Sequence, residues 1–452
     1  MKFATLSLIV SLVSISSHAM EPKLPPSEML ADFAELKSAL EAVHPDIYRH
    51  RSEAETQAIA DAIENALAST SMDKWTFYRV IAPYAAGIMD GHTFVRPPAR
   101  FSEISKGQSV HLPLRIKVQG HKLFVAENLT SHDALDAGVE ILSINGHAAE
   151  VIVENFRSQY ADIVPKDDVY SRAFMPFLAA GFGMAESYDV QLASGITVPI
   201  SGLTAEELEK ARSGTQRKEA ENQTPNFRLY FPEKLADVAV IEVNLMRDAQ
   251  AFNAFASDAF SQIRQRGINL LVIDFRNNEG GDSAIGDTLA HYLTSKPMRE
   301  WQSLIKVSDQ FKDHFADDIG DDPALQQALS APNGSLVSEP DTTANKKRPS
   351  PGQLFDGEVR LLTSGYTYSS ASMFAGIFKC DNLGVIVGQP TGQATNFFGE
   401  LTQMTLSNSG LNFLVSMKEF RAPCEVSMTE GVQPDILLPN DVDALQTVLK
   451  GK

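Results

Sequence analysis

A run of hydroxyl side chains between a strand pattern and a helix pattern is the first place where this sequence could do chemistry. Thr367 to Ser372 follows the apolar residues Val359, Leu361 and Leu362 and precedes an amphipathic helical pattern. The first backbone N–H groups of a helix have no internal partner, so they can stabilise an oxyanion beside a nucleophilic hydroxyl. Ser and Thr are also favoured as N-caps. This stretch alone therefore leaves a nucleophile and a cap both open.

A second segment joins a buried-strand pattern to a glycine pair. Asn269 to Asp274 reads Asn-Leu-Leu-Val-Ile-Asp and continues through Phe-Arg-Asn-Asn-Glu to Gly280 and Gly281. Two glycines allow the chain to turn sharply and to bring its amides close to a ligand. The segment predicts a strand, a tight turn and the start of a new helix.

The third candidate is a histidine on a predicted loop. Asp90-Gly91-His92-Thr93 lies between a helical pattern and an extended segment, a setting that suits a side chain reaching into another domain. Imidazole has a pKa close to working pH, so it can accept a proton from a hydroxyl and return it to a leaving group. Most of the ten histidines are expected to be solvated or structural, and His44 is predicted to cap a helix C-terminus.

Together these motifs resemble the C-terminal-processing (tail-specific) family of serine peptidases. Its signature, Asp-Leu-Arg-Asn-Asn-x-Gly-Gly followed by a nucleophile turn, is similar to Asp274 to Gly281 followed by Ser369. The resemblance covers most of the mature chain. The position of the lysine base in the best-known members falls in Gly392-Gln393-Ala394-Thr395, which contains no lysine. This departure indicates the Ser-His-Glu branch that includes the tricorn-type proteases.

The resemblance implies roles for particular residues. Ser369 would be the nucleophile, because Met373-Phe374-Ala375 matches the family's helix and sets the register. His92 would be the general base, since Asp90 to Thr93 resembles the Asp-x-His-Thr motif of that branch. Glu430, ahead of Gly431-Val432-Gln433-Pro434-Asp435, would orient His92, with Glu425 in reserve because the spacing is shorter than in the family. A distant lysine such as Lys418 is not expected to replace the base.

The same resemblance implies an oxyanion hole. Its donors would be an amide of the Gly280-Gly281 turn and the amide of Ser370. Asp274 and Arg276 would support the turn rather than act on substrate. No metal or organic cofactor is implied.

Hydrophobic patterning divides the chain into several units. We expect a signal peptide at 1–19, a helical domain carrying the histidine loop at 20–105, and a small β domain at 106–200. A charged helical linker at 201–235 and an α/β core at 236–452 follow, and the core carries a polar surface insertion at about 308–350. In the core, two strand patterns flank a helix with one apolar face, which predicts a parallel pair with a right-handed crossover. The fold class is thus multidomain α/β, and the resemblance implies a crotonase-like core.

The β domain contains a second motif. Gly138 to Gly146 resembles the Gly-Asp-x-Ile-x-x-Ile-Asn-Gly run of PDZ-like domains, which bind a peptide as an added strand. A domain that only braces the peptidase fits the same pattern, so both interpretations stay open.

The net charge and the N-terminal residues limit which partners and which compartment are expected. The net charge is -18, which argues against nucleic acid or anionic membranes as partners. Residues 1–19 combine Lys2, an apolar run and Ser17-His18-Ala19, the order of a secretory signal, so the mature protein should be exported, and periplasmic in a Gram-negative source. No other run could span a bilayer. Cys380 and Cys424 could form one disulfide or stay unpaired.

The resulting prediction is an exported serine endopeptidase that acts on polypeptide, an unfolded segment or chain terminus lying along a sheet edge. Two alternatives remain. One is a periplasmic peptide-binding protein on a degenerate protease scaffold, and the other is hydrolysis of non-peptide acyl compounds. The oligomeric state is left open.

Overall fold

The computed structural model describes residues 23–214, 225–316, 323–339, 351–424 and 429–451. The expected signal peptide and the reserve carboxylate Glu425 lie outside these residues. Within the described part of the chain no helix is both long enough and apolar enough to cross a bilayer.

A helical bundle forms the N-terminal part. Its helices are α1 (Pro26–Val43), α2 (Glu53–Ser69), α3 (Lys74–Ala86) and α4 (Phe101–Ile104), with the short strand β1 (Phe94–Val95) between the last two. Ser52 and Glu55 form a capping box that satisfies free amides at the start of α2. Buried apolar side chains such as Phe33 and Phe77 hold the helices together. The loop between α3 and β1 therefore leaves a rigid support, and it carries His92.

The second unit is an antiparallel sheet with the strand order β2-β3-β4-β6-β7, and β5 pairs with β4. Its strands are β2 (Leu114–Gln119), β3 (Lys122–Asn128), β4 (Glu140–Ile144), β5 (His147–Ala148), β6 (Ser187–Leu192) and β7 (Thr197–Ser201). Its helices are α5 (Ala149–Gln159), α6 (Asp167–Arg172) and α7 (Phe174–Phe182), and α8 (Ala205–Gly214) follows the sheet.

Helix α6 covers the outer edge of this sheet. The amide of Val118 in β2 donates to Ser171 Oγ at 2.8 Å, and the amide of Gly120, in the turn after β2, donates to Asp167 Oδ2 at 2.6 Å. A peptide adding as a strand at β2 would need these donors. The β2 edge is therefore occupied by the protein's own side chains in this conformation.

The core sheet has the order β17-β14-β13-β10-β9-β8, and every neighbouring pair is parallel except β8 with β9. Its strands are β8 (Phe227–Tyr230), β9 (Val238–Val243), β10 (Leu270–Asp274), β13 (Glu358–Thr363), β14 (Val385–Gly388) and β17 (Ile436–Leu437). Its helices are α9 (Ala249–Gln265), α10 (Ala284–Leu293), α13 (Ser370–Cys380) and α14 (Ala444–Lys450). Both faces are covered, which explains why β10 is buried at every position. The predicted parallel pair β9-β10 and its crossover helix α9 are confirmed.

A third sheet joins the bundle to the core. It has the order β1-β16-β11-β12, with β15 also paired to β16. These strands are β11 (Gln302–Lys306), β12 (Leu336–Ser338), β15 (Phe397–Thr405) and β16 (Asn412–Arg421). Because β1 pairs with β16, the histidine loop is held against the C-terminal half of the chain.

The expected linker and the expected surface insertion both differ in part from the structure. Residues 227–230, expected within the charged linker, form an edge strand of the core sheet, because Leu229 and Phe227 place apolar side chains against the core. The segment expected as a polar surface insertion holds α11 (Asp309–His314), α12 (Pro323–Leu329) and β12. Phe311 and Leu329 pack into the bundle's hydrophobic core, so part of the segment is structural. The mostly polar composition of the segment gave no sign that these two apolar side chains would be buried.

Cys380 and Cys424 form a disulfide. It joins the C-terminus of α13 to the segment after β16. Of the two alternatives that the sequence left open, the structure therefore has the disulfide.

Candidate active site

Ser369 lies on a strained turn between β13 and α13. Its backbone has φ 52° and ψ -128°, a conformation that is costly for a residue with a Cβ. Two hydrogen bonds tie the turn to the segment after β10. Thr367 Oγ1 donates to the carbonyl of Phe275 at 2.9 Å, and the Tyr368 amide donates to the carbonyl of Asn278 at 3.0 Å. The strain therefore persists because the surrounding contacts impose it.

The imidazole of His92 meets this serine. Its Nε2 lies 3.2 Å from Ser369 Oγ, across a sequence separation of 277 residues. The ring is buried between Tyr368 and Phe397, with centroid distances of 5.0 and 6.1 Å. Packing on both neighbours limits rotation of the ring, so Nε2 stays directed at the hydroxyl.

Two groups face the other ring nitrogen, Nδ1. Gln393 Nε2 lies 3.3 Å from it, and Asp90 Oδ1 lies 3.7 Å from it. Gln393 follows β14 and is 1% exposed, and it lies in the stretch where the resemblance predicted a lysine and the sequence has none. Asp90 also accepts a 3.0 Å hydrogen bond from the His92 amide, which fixes the loop.

Asp90 is the centre of a buried hydrogen-bond network. Its Oδ2 accepts from Thr93 Oγ1 at 2.7 Å and from Ser416 Oγ at 2.6 Å, and His44 Nε2 lies 3.3 Å away. Burial by itself raises the pKa of Asp90, but its contact with His44 and the positive charge of the neighbouring histidines outweigh that effect and hold the pKa well below its usual range. Asp90 is thus an ionised carboxylate behind His92.

Glu430 is not brought to His92. Its side chain is exposed, and its backbone carbonyl accepts a hydrogen bond from the Thr395 amide at 3.2 Å. The described structure contains no Glu430 carboxylate contact with the His92 ring, since the oxygens that lie near the ring belong to Asp90 and Ser369. The prediction that Glu430 orients His92 is therefore corrected.

The glycine turn lies against Ser369. A Cβ on Gly280 would come within 2.7 Å of Ser369 Cβ, and one on Gly281 would come within 2.0 Å of the Met246 carbonyl, so only glycine fits at either position. The Gly280 amide donates to Asn278 Oδ1 at 2.9 Å. In the described part of the chain, the amides of Gly281 and Ser370 donate to no protein group. They are the two predicted oxyanion donors that remain available.

The remaining predicted residues hold the turns. Asp274 accepts from Arg276 at 2.7 and 2.9 Å, and Arg276 also pairs with Asp443 at 3.2 Å. Two other serines of the run from Thr367 to Ser372 could compete with Ser369, but Ser370 donates to the Gly281 carbonyl at 2.6 Å and Ser372 donates to the Thr367 carbonyl at 2.8 Å. Both are engaged with backbone, which leaves the Ser369 hydroxyl as the one that faces the imidazole.

Two lysines near the site have other partners. Lys418 lies in the same cleft but pairs with Glu339 at 2.7 Å. Lys166 is buried, and its Nζ bonds Asp162 at 2.9 Å and the Gly392 carbonyl at 2.6 Å. Burial lowers the pKa of Lys166, and the adjacent Asp162 opposes that effect. Neither lysine contacts Ser369 in the described structure.

A cleft of about 1250 Å³ opens beside the pair. Its apolar wall lies along α13 and includes Trp301, Met373, Phe374, Ile377, Phe397 and Phe420. Trp301 crosses α13 where Gly376 leaves room, and its indole N–H donates to the Met373 carbonyl at 3.3 Å. Among the described residues no group of three or more His, Cys, Asp or Glu side chains could hold a metal ion.

Comparison with known proteins assigns a family to the core. Residues 237–438 match the model of peptidase family S41. The core is a serine peptidase of family S41. The S41 core contains the nucleophile turn, the glycine turn and Gln393, whereas His92 and Asp90 lie outside the matched segment. No curated protein matches the chain.

Solved structures of CPAF share the fold over most of this chain. Mature CPAF superposes with a TM-score of 0.62 at 14% identity, over 92% of this chain and 93% of that one. Mature CPAF complexed with lactacystin gives 0.63 at 15% identity, over 92% and 94%. The photosystem II D1 C-terminal processing protease gives 0.45 at 19% identity, over 94% and 97%. At these identities the similarity to CPAF shows a shared fold.

Sequence reasoning missed two residues that lie against the His92 ring. Asp90 belongs to the motif that identified His92, so its position two residues away was an available signal. Gln393 was named only as part of the stretch without a lysine. Gln393 lies where the resemblance predicted the lysine base, and this position was the available signal that it would contact His92.

Proposed function

We propose that this S41 peptidase is an endopeptidase in which Ser369 attacks the peptide carbonyl and His92 transfers the proton. The observation that carries this proposal is the 3.2 Å approach of His92 Nε2 to Ser369 Oγ. That distance is hydrogen-bonding reach for general base catalysis. Asp90 takes the place first assigned to Glu430, as the buried negative charge that stabilises the imidazolium.

Acylation follows from these positions. His92 Nε2 accepts the hydroxyl proton as Ser369 Oγ bonds to the carbonyl carbon, and the carbonyl π electrons move onto oxygen. The amides of Gly281 and Ser370 then donate to that oxyanion. The carbonyl re-forms, the C–N bond breaks, and the imidazolium returns its proton to the leaving amine. Water repeats the sequence on the acyl-enzyme and releases Ser369.

The cleft supports a polypeptide substrate with a large apolar side chain beside the scissile bond. The wall formed by Met373, Ile377 and Phe397 continues directly from Ser369 and His92, so an apolar side chain can be buried while its carbonyl faces the serine. Hydrolysis of non-peptide acyl compounds would use the same pair, and ester turnover without peptide turnover would favour it.

We also propose export to the periplasm. Support comes from the N-terminal order of Lys2, an apolar run and Ala19, and from the Cys380–Cys424 disulfide, which fits an oxidising compartment. Mass spectrometry of the mature protein from a periplasmic fraction should find Met20 at the N-terminus. A cytoplasmic protein that retains Met1 would contradict this proposal.

A fluorophosphonate probe tests the catalytic pair. The wild type should be labelled at Ser369, whereas Ser369→Ala and His92→Ala should lose labelling and peptide hydrolysis together. His132→Ala, at an exposed histidine of the second unit, is the matched control and should label like wild type. Peptide binding without any labelling of the wild type would instead favour the binding-protein alternative.

A further inference from the structure

The carboxamide of Gln393 joins the two halves of the site. Its Oε1 accepts a 2.7 Å hydrogen bond from the Ser369 backbone N–H, and its Nε2 lies 3.3 Å from His92 Nδ1. With 1% of its surface exposed, the side chain has no room to exchange these partners with solvent. One group therefore contacts both the nucleophile's backbone and the ring of its base.

The Ser369 amide settles which way this carboxamide points. A backbone N–H can only donate, so the atom facing it must be the oxygen Oε1. The NH₂ group then faces His92 Nδ1, and it can only donate as well. Nδ1 must accept, which places the proton of a neutral His92 on Nε2. In that tautomer the ring donates to Ser369 Oγ.

This tautomer is the wrong one for a general base. To take the hydroxyl proton, Nε2 must carry the lone pair and Nδ1 must carry the proton. The acceptor for an Nδ1 proton is Asp90, whose Oδ1 lies 3.7 Å away, beyond hydrogen-bond distance. Gln393 and Asp90 therefore favour opposite tautomers of His92, and the shorter contact belongs to Gln393.

We propose that Gln393 is a positioning residue that holds His92 in a latent tautomer until the ring shifts its Nδ1 from Gln393 toward Asp90. The change moves one proton through solvent, off Nε2 and onto Nδ1, with no change of net charge. The inference rests on the proposed roles of Ser369 and His92, and it makes the resting enzyme slower than its geometry suggests. In serine peptidases the wrong tautomer costs up to about 10⁴-fold.

Gln393→Glu is the decisive variant. Its two oxygens can accept from the Ser369 N–H and from His92 Nδ1–H together, which removes the conflict. We expect fluorophosphonate labelling of Ser369 to be at least about tenfold faster than in wild type. Two-bond ¹H–¹⁵N spectra of histidine-labelled protein should show His92 protonated at Nε2 in wild type and at Nδ1 in the variant. His92→Ala identifies the signals.

Gln433→Glu is the control, because Gln433 is an exposed glutamine that donates to the Gly431 carbonyl and the substitution adds the same charge. It should leave both readouts at wild-type values. If Gln393→Glu fails to fold, Gln393→Met replaces it: loss of the donor should populate the Nδ1–H tautomer, whereas a merely structural residue would leave the tautomer unchanged. Wild-type His92 already protonated at Nδ1 would overturn the inference. Absence of labelling in every variant would instead sink the peptidase mechanism, and the spectra would still report the tautomer.

Discussion

Ser416 donates a 2.6 Å hydrogen bond to the carboxylate of Asp90, and 326 residues separate the two along the chain. Ser416 is fully buried on β16, and Asp90 lies two residues before His92 in the loop between α3 and β1. The bond fastens this loop to the strand that pairs with β1. The position of the imidazole is therefore set by the third sheet as well as by the bundle.

Ser416→Ala should weaken that attachment. It leaves the buried Asp90 with one donor fewer, so we expect a loss of about 1–3 kcal/mol in the free energy of unfolding and a lower kcat with a smaller change in KM. Urea titration in a Ser369→Ala background and peptide kinetics measure the two effects. Ser143→Ala removes a hydrogen bond from a more exposed strand, to Gln191, and should change neither by much. Equal effects of the two variants would contradict this role.

Asp90 should make stability depend on acidity. Its folded pKa is below the unfolded value, so it binds fewer protons when native and its contribution is present above pH of about 4. That contribution is lost as the pH falls below this value. Thermal unfolding of the Ser369→Ala protein from neutral to acidic pH should show a steep decline, and Asp90→Asn should be less stable at neutral pH with a flatter profile. Parallel profiles of stability against pH with and without Asp90→Asn would contradict this role of Asp90.

The buried pair Lys166–Asp162 should be strongly coupled. Lys166→Met leaves a buried carboxylate without its cation, which typically costs about 3–5 kcal/mol. Adding Asp162→Asn should recover part of that loss, so the double variant should be less damaged than the sum of the single variants. Lys122→Met, in the exposed pair with Glu140, is the control and should cost under about 1 kcal/mol. Additive losses would show that the pair is not coupled.

The apolar wall should decide which peptides are cut. Met373→Glu places a carboxylate beside Ser369 along the cleft, so peptides with Leu or Phe at the scissile bond should lose kcat/KM and peptides with Lys or Arg should gain it. A peptide library compared between the wild type and the variant gives the ratio. Leu142→Glu, at an exposed position of the second unit, should leave the ratio unchanged. An unchanged ratio for Met373→Glu would place the side-chain pocket elsewhere.

The Cys380–Cys424 disulfide should contribute to stability under oxidising conditions. Removing it with Cys380→Ser and Cys424→Ser should lower the free energy of unfolding by about 2–4 kcal/mol, since the bond restricts the unfolded chain. Urea titration with and without reductant should give the same loss in the unmodified protein. Insensitivity to both treatments would contradict this expectation.

The fold class and the family could be predicted from the sequence because their signals are local. The buried strand β10, its glycine turn and the hydroxyl turn before α13 each depend on neighbours in the chain, and the family model and the fold confirm them. The roles of Ser369 and His92 in catalysis stay predictions. The expected insertion was only partly right, because Phe311 and Leu329 find their partners in a distant bundle.

By itself the sequence determined which segments can supply a nucleophile, an imidazole and a pair of free amides, because strand, turn and helix patterns are short-range. Only the tertiary structure decided what each of these groups touches. It brought Asp90 and Gln393 to His92 and left Glu430 in solvent, because these contacts depend on how β1, β14 and β16 pack. A different packing of these strands would change the partner of His92 Nδ1 without altering any local motif.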